Sequence, residues 1–105
     1  MPTVSEIFGA MSSQLESQDL AGMEATIQFE LSGDNGGNWY AAINGGKANV
    51  QKGKAEAPTA TVKMDGDDFV AMTSGKLNAV NAFMMGKIKV EGDLNTVMKF
   101  QSMMG

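Results

Sequence analysis

The sequence contains neither cysteine nor histidine among its 105 residues. The lack of cysteine excludes disulfides and thiolate chemistry, and the lack of histidine removes the commonest metal ligand and the commonest general base at neutral pH. A serine nucleophile of the usual triad kind would have no histidine partner. We therefore expect no catalytic residues, no bound metal and no cofactor.

Basic runs and long apolar runs are missing as well. Eight Lys plus Arg against twelve Asp plus Glu give a formal net charge of -4, so we expect no binding to nucleic acid. No apolar run approaches membrane-spanning length, and the first residues lack the basic and apolar regions of a secretion signal, which predicts a cytoplasmic protein. The length fits a single domain over residues 1–105, expected to be a monomer with a dimer as the alternative.

Methionine is abundant where aromatic residues are few. The chain has ten Met against one Trp, one Tyr and five Phe. Because Met is unbranched and polarizable, its side chain can repack around apolar groups of different shape. Two interpretations follow: the methionines fill the core of a small domain, or they line a cavity that accepts varied apolar ligands.

Hydrophobic periodicity predicts the elements of the first two thirds of the chain. Thr3 and Glu6 have the spacing of a capping box, and apolar residues at helical spacing predict a helix over residues 4–15. Alternation over residues 24–31 predicts a half-buried antiparallel strand. Further strands are predicted at 38–44, 47–51 and 60–65, with Asn44-Gly45 as the hairpin turn between the second and third.

The hydrophobic period changes from two to near four between residues 66 and 86. Asp65 or Asp67 can cap a helix over residues 67–74, and Asn78 can cap another over residues 79–85, with Gly75 and Gly86 as the stops. A strand over residues 87–91 and a helix over residues 94–103 complete the chain. The sequence thus predicts an α+β fold, a five-stranded, mainly antiparallel sheet covered on one face by helices.

The segment 60–101 carries the most specific pattern. It reads ATVKMDGDDFVAMTSGKLNAVNAFMMGKIKVEGDLNTVMKFQ and resembles the second half of the sterol carrier protein-2 (SCP2) domain. The stretch around Trp39, GGNWYAAINGGKANV, is similar to that family's second strand and following hairpin, whereas the first helix matches only in character. The resemblance implies a short stand-alone member with an apolar tunnel for fatty acids, fatty acyl-CoA, phospholipids or sterol-like ligands.

The residues expected to bind the lipid are the inward apolar positions of the strands and helices, together with a glutamine that the resemblance places along the tunnel. They are Phe29, Trp39, Ile43, Val62, Met64, Phe69, Met72, Leu77, Val80, Phe83, Met84, Ile88, Leu94, Val97, Met98 and Gln101. For Trp39 the alternative is core packing.

The last helix is predicted to act as a lid. Leu94, Val97 and Met98 recur at i, i+3 and i+4, which predicts a buried stripe that also includes Gln101. The alternative is that the helix end frays and that Gln101 meets solvent.

Three function classes remain open. A non-enzymatic lipid carrier leads, an accessory protein-interaction domain with a vestigial cavity beside a separate lipid-metabolising enzyme comes second, and an enzyme using carboxylates or a hydroxyl alone is weakest. Lys76, Lys87 and Lys89 are either a solvated surface or a site for a carboxylate or phosphate head group near the cavity mouth. The expected partners are a lipid or fatty acyl ligand and, transiently, a membrane surface.

Overall fold

The computed structural model describes residues 3–104, so Met1, Pro2 and Gly105 of the predicted domain lie outside the described residues. Strands and helices follow one another within this range, and each predicted element is confirmed to within a residue at either end. They are α1 Val4–Glu16, β1 Ala25–Ser32, β2 Gly37–Asn44, β3 Lys47–Lys52, β4 Ala60–Asp65, α2 Gly66–Thr73, α3 Ala79–Met84, β5 Ile88–Gly92 and α4 Leu94–Met104. The predicted α+β class is confirmed.

The five strands form one mixed sheet in the order β3-β2-β1-β4-β5. Strand β1 pairs antiparallel with β2 and parallel with β4, and the β2–β3 and β4–β5 pairs are antiparallel. The sheet is therefore mainly antiparallel, as predicted, but the purely antiparallel setting expected for β1 is wrong on its β4 side. The reason is the segment of residues 53–59, which carries the chain from edge strand β3 past β2 and β1, so that β4 runs in the same direction as β1.

The hairpin between β2 and β3 is tight. Asn44 pairs with Lys47, which leaves Gly45 and Gly46 as a two-residue turn with φ angles of 61° and 78°. Two positive φ values in succession are typical of a type I′ turn, in which glycine avoids the strain that a side chain would cause. The predicted hairpin is confirmed, with its central pair one residue later than Asn44-Gly45.

The crossing segment is held to the back of the sheet by Gln28, which lies on β1 and is 2% exposed. Its Nε2 donates hydrogen bonds to the carbonyl oxygens of Trp39 and Gly53, each at 3.0 Å, and its Oε1 accepts from the backbone N–H of Ala55 at 2.7 Å. The alternating pattern assigned Gln28 to the polar side of β1. That side is polar, but the crossing segment covers this position and buries it.

Aromatic rings join the helices to the inner face of the sheet. Phe8 of α1 stacks between Trp39 of β2 and Phe69 of α2, with ring centroids 4.8 and 5.2 Å away, and meets Phe29 of β1 edge-on at 5.2 Å. Phe29 also contacts Phe100 of α4, at 5.9 Å. We call these five residues the ring cluster. It connects α1, α2 and α4 with strands β1 and β2 of the sheet.

Side chains cap three helices as predicted. The hydroxyl of Thr3 accepts from the N–H of Glu6 at 3.1 Å, and the carboxylate of Glu6 accepts from the N–H of Thr3 at 3.0 Å, completing the capping box of α1. Asp65 accepts from the N–H groups at the start of α2, and Asn78 caps α3. These local bonds satisfy backbone donors that have no partner within the helix.

Candidate functional site

The residues predicted to line the tunnel fall into three groups by exposure. The buried group consists of Phe29, Ile43, Val62, Met64, Phe69 and Ile88. The half-buried group consists of Trp39, Met72, Leu77 and Val97. The exposed group consists of Val80, Phe83, Met84, Leu94, Met98 and Gln101.

The buried group forms the inner face of the sheet and part of the ring cluster. One ring at the centre of this layer, Phe8, was not among the predicted site residues, although it is only 1% exposed and touches three other rings. The apolar stripe of α1 did contain the signal for it, because Phe8 lies on the face that also carries Val4, Ile7 and Leu15. No pattern in the sequence connects that stripe with the site.

Half-buried residues of the helices and their connection mark the border of the core. Met72 lies in the last turn of α2, Leu77 lies between α2 and α3, and Val97 and Met103 lie on α4; all four pack against the buried cluster while keeping some exposure. We call these four residues the helical margin.

Trp39 is half-buried and stacks on Phe8 with an interplanar angle of 9°. Its neighbours on the same strand face, Ala41 and Ile43, are buried, as the alternating pattern of β2 indicated. Core packing therefore accounts for its position. A direct contact between Trp39 and a lipid stays a prediction.

Helix α4 is rotated about its own axis relative to the prediction, so that a different set of its side chains faces the core. Leu94 and Met98 are 42% and 57% exposed and Gln101 is exposed too, whereas Phe100 is 5% exposed. The expected burial of these three residues is wrong, because the large ring of Phe100 packs on Phe29 and sets the rotation of the helix. The solvent-facing alternative for Gln101 describes the structure. A contact between these side chains and a ligand stays a prediction.

Two depressions on the described surface are open to solvent. One, of about 680 Å³, lies on the outer side of α4 between Asn95, Met98 and Gln101. The other, of about 470 Å³, lies on the back of the sheet beside Lys63 and Lys89. Neither is lined by the ring cluster, so the lipid tunnel stays a prediction.

Lysines gather at the β5 edge of the sheet. Lys63 and Lys89 are cross-strand neighbours, and the Lys63 Nζ lies 3.3 Å from the Glu91 Oε1, with both side chains well exposed. An exposed pair of this kind contributes little to stability. Lys76 and Lys87 are exposed as well. Over residues 3–104, no acidic side chains cluster in a way that could hold a metal ion.

Helix α3 has an apolar outer side. Val80 and Met84 are 62% and 78% exposed, Phe83 is 46% exposed, and Met85, which follows the helix, is 63% exposed. The buried side of this short helix is provided by Ala82, which is fully covered. None of the helices in the described range is long and apolar enough to cross a membrane.

Comparison with known proteins identifies relatives over nearly the whole chain. The family model of the SCP-2 sterol transfer family matches residues 5–105. Hydroxysteroid dehydrogenase-like protein 2 of Xenopus tropicalis is 34% identical over 101 residues, which cover 95% of this chain and 24% of that protein. The chain thus spans about a quarter of the length of the curated relatives it matches.

Solved structures share the fold. The sterol carrier protein domain 2 of Helicoverpa armigera aligns with a TM-score of 0.80 and 27% identity, covering 96% of this chain and 84% of that one. Sterol Carrier Protein-2 of Aedes aegypti, solved in complex with palmitate, aligns with a TM-score of 0.75 and 24% identity, covering 100% of this chain and 97% of that one. Together with the match of the family model, these similarities confirm the resemblance seen in segment 60–101: the chain belongs to the SCP-2 sterol transfer family.

Proposed function

We propose that this protein is a non-enzymatic lipid carrier, which holds the apolar part of a fatty acid, fatty acyl-CoA, phospholipid or sterol-like lipid between its sheet and its helices. The observation that carries the proposal is the helical margin, where Met72, Leu77, Val97 and Met103 border the core without being sealed into it. Family membership supports it, as does the palmitate bound to the Aedes aegypti relative.

The chemistry of the margin suits binding rather than catalysis. Its side chains are two thioethers and two branched aliphatic groups, none of which titrates. Methionine adapts its shape at low cost, so the same margin can accept chains of different length and unsaturation. Any reaction on the bound lipid would fall to another protein.

The energy available from an acyl chain is sufficient. Burying about sixteen methylene groups releases roughly 0.8 kcal/mol each, or on the order of 12 kcal/mol before ordering costs. Micromolar affinity requires about 8 kcal/mol. A lipid can therefore bind even if part of the free energy of burial offsets the cost of moving protein elements.

Some movement is required because the ring cluster fills the layer between sheet and helices. Helices α3 and α4 are the elements best suited to move. Ala82 is the buried side chain that α3 contributes, and Phe100 is the ring by which α4 contacts Phe29. Elements with few buried apolar contacts open at lower free energy than the rest of a domain.

The test is a thermal melt with and without palmitate. A ligand at about one hundred times its dissociation constant stabilises the native state by about 2.7 kcal/mol, which raises the midpoint of a domain of this size by roughly 10 °C. Titration of palmitate followed by calorimetry gives the affinity directly. A melting point unmoved by palmitate, an acyl-CoA, a phospholipid and a sterol at saturating concentrations would contradict the carrier function.

A matched pair of variants locates the site. Met72→Gln replaces a margin thioether with an amide of similar length, and we expect it to lower palmitate affinity by about 1 to 3 kcal/mol, because a polar group would face the acyl chain. Met23→Gln makes the same change at a half-buried residue that packs on the core outside the margin. Equal losses in the two variants would show that the margin is not the binding site.

A second candidate function is favoured by the length of the relatives. Because the chain matches about a quarter of hydroxysteroid dehydrogenase-like protein 2, a domain of this type can also serve as an accessory interaction module beside a lipid-metabolising enzyme. Native mass spectrometry of the protein purified from its producing cells separates the two functions. Copurified lipid supports the carrier, whereas a protein that is empty and refuses added fatty acid supports the accessory module.

A further inference from the structure

We propose that helix α3 docks the protein on a membrane surface that carries anionic lipid head groups. The outer side of α3 presents Val80, Phe83 and Met84, and Met85 extends it at the end of the helix. We call these four residues the α3 face. Their exposed fractions lie between 46% and 78%.

The α3 face is a contiguous surface rather than a scatter of exposed side chains. Val80, Phe83 and Met84 are spaced i, i+3 and i+4, so they project from the same side of the helix, opposite the buried Ala82. Single exposed apolar residues are ordinary on protein surfaces, whereas a grouped set of large ones marks an interaction site.

Charge indicates what the α3 face contacts. Lys76 lies before α3 and Lys87 after it, and residues 75–89 contain no acidic residue, within a chain whose formal net charge is -4. Both lysines are exposed. Lys89 is not part of this surface, because it lies on the back of the sheet with Lys63 and Glu91. Apolar side chains flanked by cations suit the boundary between acyl chains and anionic head groups, where the apolar groups insert and the lysines meet phosphates.

A second copy of the chain fits the α3 face less well. A two-fold symmetric contact would place the same surface of both copies together. It would then bring Lys76 and Lys87 of one copy towards the same two lysines of the other, in a segment without a carboxylate to compensate. Anionic lipid supplies the opposite charge.

Other parts of the described surface lack this combination. The outer side of α1 carries Ser5, Ser13 and the acidic Glu6 and Glu16, which anionic lipid would repel. Strand β3 provides a second pair of exposed lysines, Lys47 and Lys52, but none of the large exposed apolar side chains belongs to that strand. Helix α4 exposes Leu94, Met98 and Lys99, but it has two large exposed apolar side chains where the α3 face has four, and the carboxylate of Asp93 directly precedes it.

Docking through α3 would be peripheral. The helix has six residues, about 9 Å at the rise of an α-helix, so it would lie in the plane of the head groups with its outer side turned towards the acyl chains. This proposal goes beyond the carrier function and does not depend on it, because a surface can attach to a bilayer whether or not lipid occupies the interior.

Flotation with lipid vesicles tests the charge component. We expect the protein to float with vesicles of phosphatidylcholine mixed with phosphatidylglycerol and to remain behind with phosphatidylcholine alone. Replacing Lys76 and Lys87 together by Gln should weaken attachment about 25-fold, since each lysine near an anionic surface contributes about fivefold. The matched control replaces the exposed Lys47 and Lys52 by Gln, removes the same charge at the β3 edge, and should change attachment little.

Two single substitutions test the apolar component. Met84→Asp places a charge in the α3 face and should weaken attachment by at least about tenfold, through lost apolar burial and repulsion from the lipid. Gln14→Glu adds the same charge on the exposed side of α1 and should have little effect. Thermal melts of all variants verify that each is folded, which is expected because every altered side chain is exposed.

Three outcomes would overturn the proposal: failure of the parent protein to float with the anionic vesicles, equal losses in the two double lysine variants, or a dimer in sedimentation that Met84→Asp dissolves while vesicles stay unbound. Palmitate binding is measured separately on the same samples. A protein that binds palmitate but not vesicles contradicts docking alone, and one that floats but binds no lipid in its interior contradicts the carrier function alone.

Discussion

The ring cluster and the α3 face use large apolar side chains in opposite ways. In the ring cluster Phe8 is 1% exposed and touches rings from two strands and a second helix. In the α3 face Phe83 is 46% exposed, and Met84 beside it is 78% exposed. The same residue type, phenylalanine, thus lies at the centre of the core in one region and on the surface in the other.

We infer from this difference that the buried rings stabilise the fold, whereas the exposed side chains of the α3 face are available for binding. Aromatic rings stack in defined geometries and fix the relative positions of the elements that carry them. Methionines on short helices at the margin and on the surface adapt to what they contact. We infer that the rings of α1, α2 and the sheet hold these elements as a constant frame, and that α3 and α4, the latter joined to the frame through Phe100, provide the variable part that meets lipid.

The largest expected effect tests the frame. Phe8→Ala should lower the free energy of unfolding by about 3 to 5 kcal/mol, because it removes a fully buried ring and leaves a cavity among its neighbours. Urea denaturation followed by circular dichroism measures the loss. Phe8→Leu, which keeps most of the volume, should retain a measurable transition if the alanine variant does not fold.

The matched substitution in the other region is Phe83→Ala. Because Phe83 is nearly half exposed, we expect a loss of about 1 kcal/mol or less in the same urea experiment. Similar losses at Phe8 and Phe83 would mean that α3 belongs to the frame, and the distinction between the two regions would fail.

A smaller loss of stability is expected from a substitution on the back of the sheet, where the crossing segment is held. Gln28→Ala leaves the carbonyl groups of Trp39 and Gly53 and the N–H of Ala55 without the partner they have now. We expect a loss of about 2 to 3 kcal/mol and faster hydrogen exchange at the Ala55 amide.

The control for this substitution is Gln51→Ala on β3. Gln51 is exposed and bonds the hydroxyl of Tyr40 and the side chain of Asn49, so its loss should cost less than about 0.5 kcal/mol. If Gln28→Ala were as mild as Gln51→Ala, the crossing segment would be held by something other than this amide.

The elements of the fold could be predicted from sequence because their signals are local. The capping box at Thr3 and Glu6, the alternation along β1 and the glycines after β2 all act within a few residues. The parallel pairing of β1 with β4 could not be predicted in the same way, since it depends on the path of residues 53–59. The side of β1 that Gln28 occupies was predicted, but its burial was not, because that burial arises from a segment more than twenty residues away.

The site was harder to predict than the fold. Periodicity along α4 placed Leu94, Met98 and Gln101 on an inward stripe, but it cannot weigh one apolar stripe against an adjacent one that contains Phe100. The contact between Phe100 and Phe29 decides the rotation, and that contact joins residues more than seventy positions apart in the chain. Family resemblance predicted a class of ligand, yet the exposure of each side chain had to be read from the structure.

The smallest expected loss of stability concerns the cap at the start of α1, the helix that carries Phe8. The backbone N–H of Thr3, and next its hydroxyl, bond the carboxylate of Glu6 and lower the pKa of that carboxyl below its ordinary value of 4.5. A lowered pKa means that the carboxylate form favours the folded state, so this contribution is present above about pH 4.5 and is lost as the pH falls through the pKa in the folded protein.

Thr3→Ala should therefore cost about 1 kcal/mol at pH 7 through loss of the cap. Glu6→Gln should cost less, and its difference from the parent should shrink in urea titrations carried out at successively lower pH below 4.5. Glu16→Gln removes the same charge at the other end of α1, where an acidic group opposes the helix dipole, and should not destabilise. A Glu6→Gln deficit that stays constant from pH 7 to pH 3 would show that the amide, rather than the missing charge, weakens the cap.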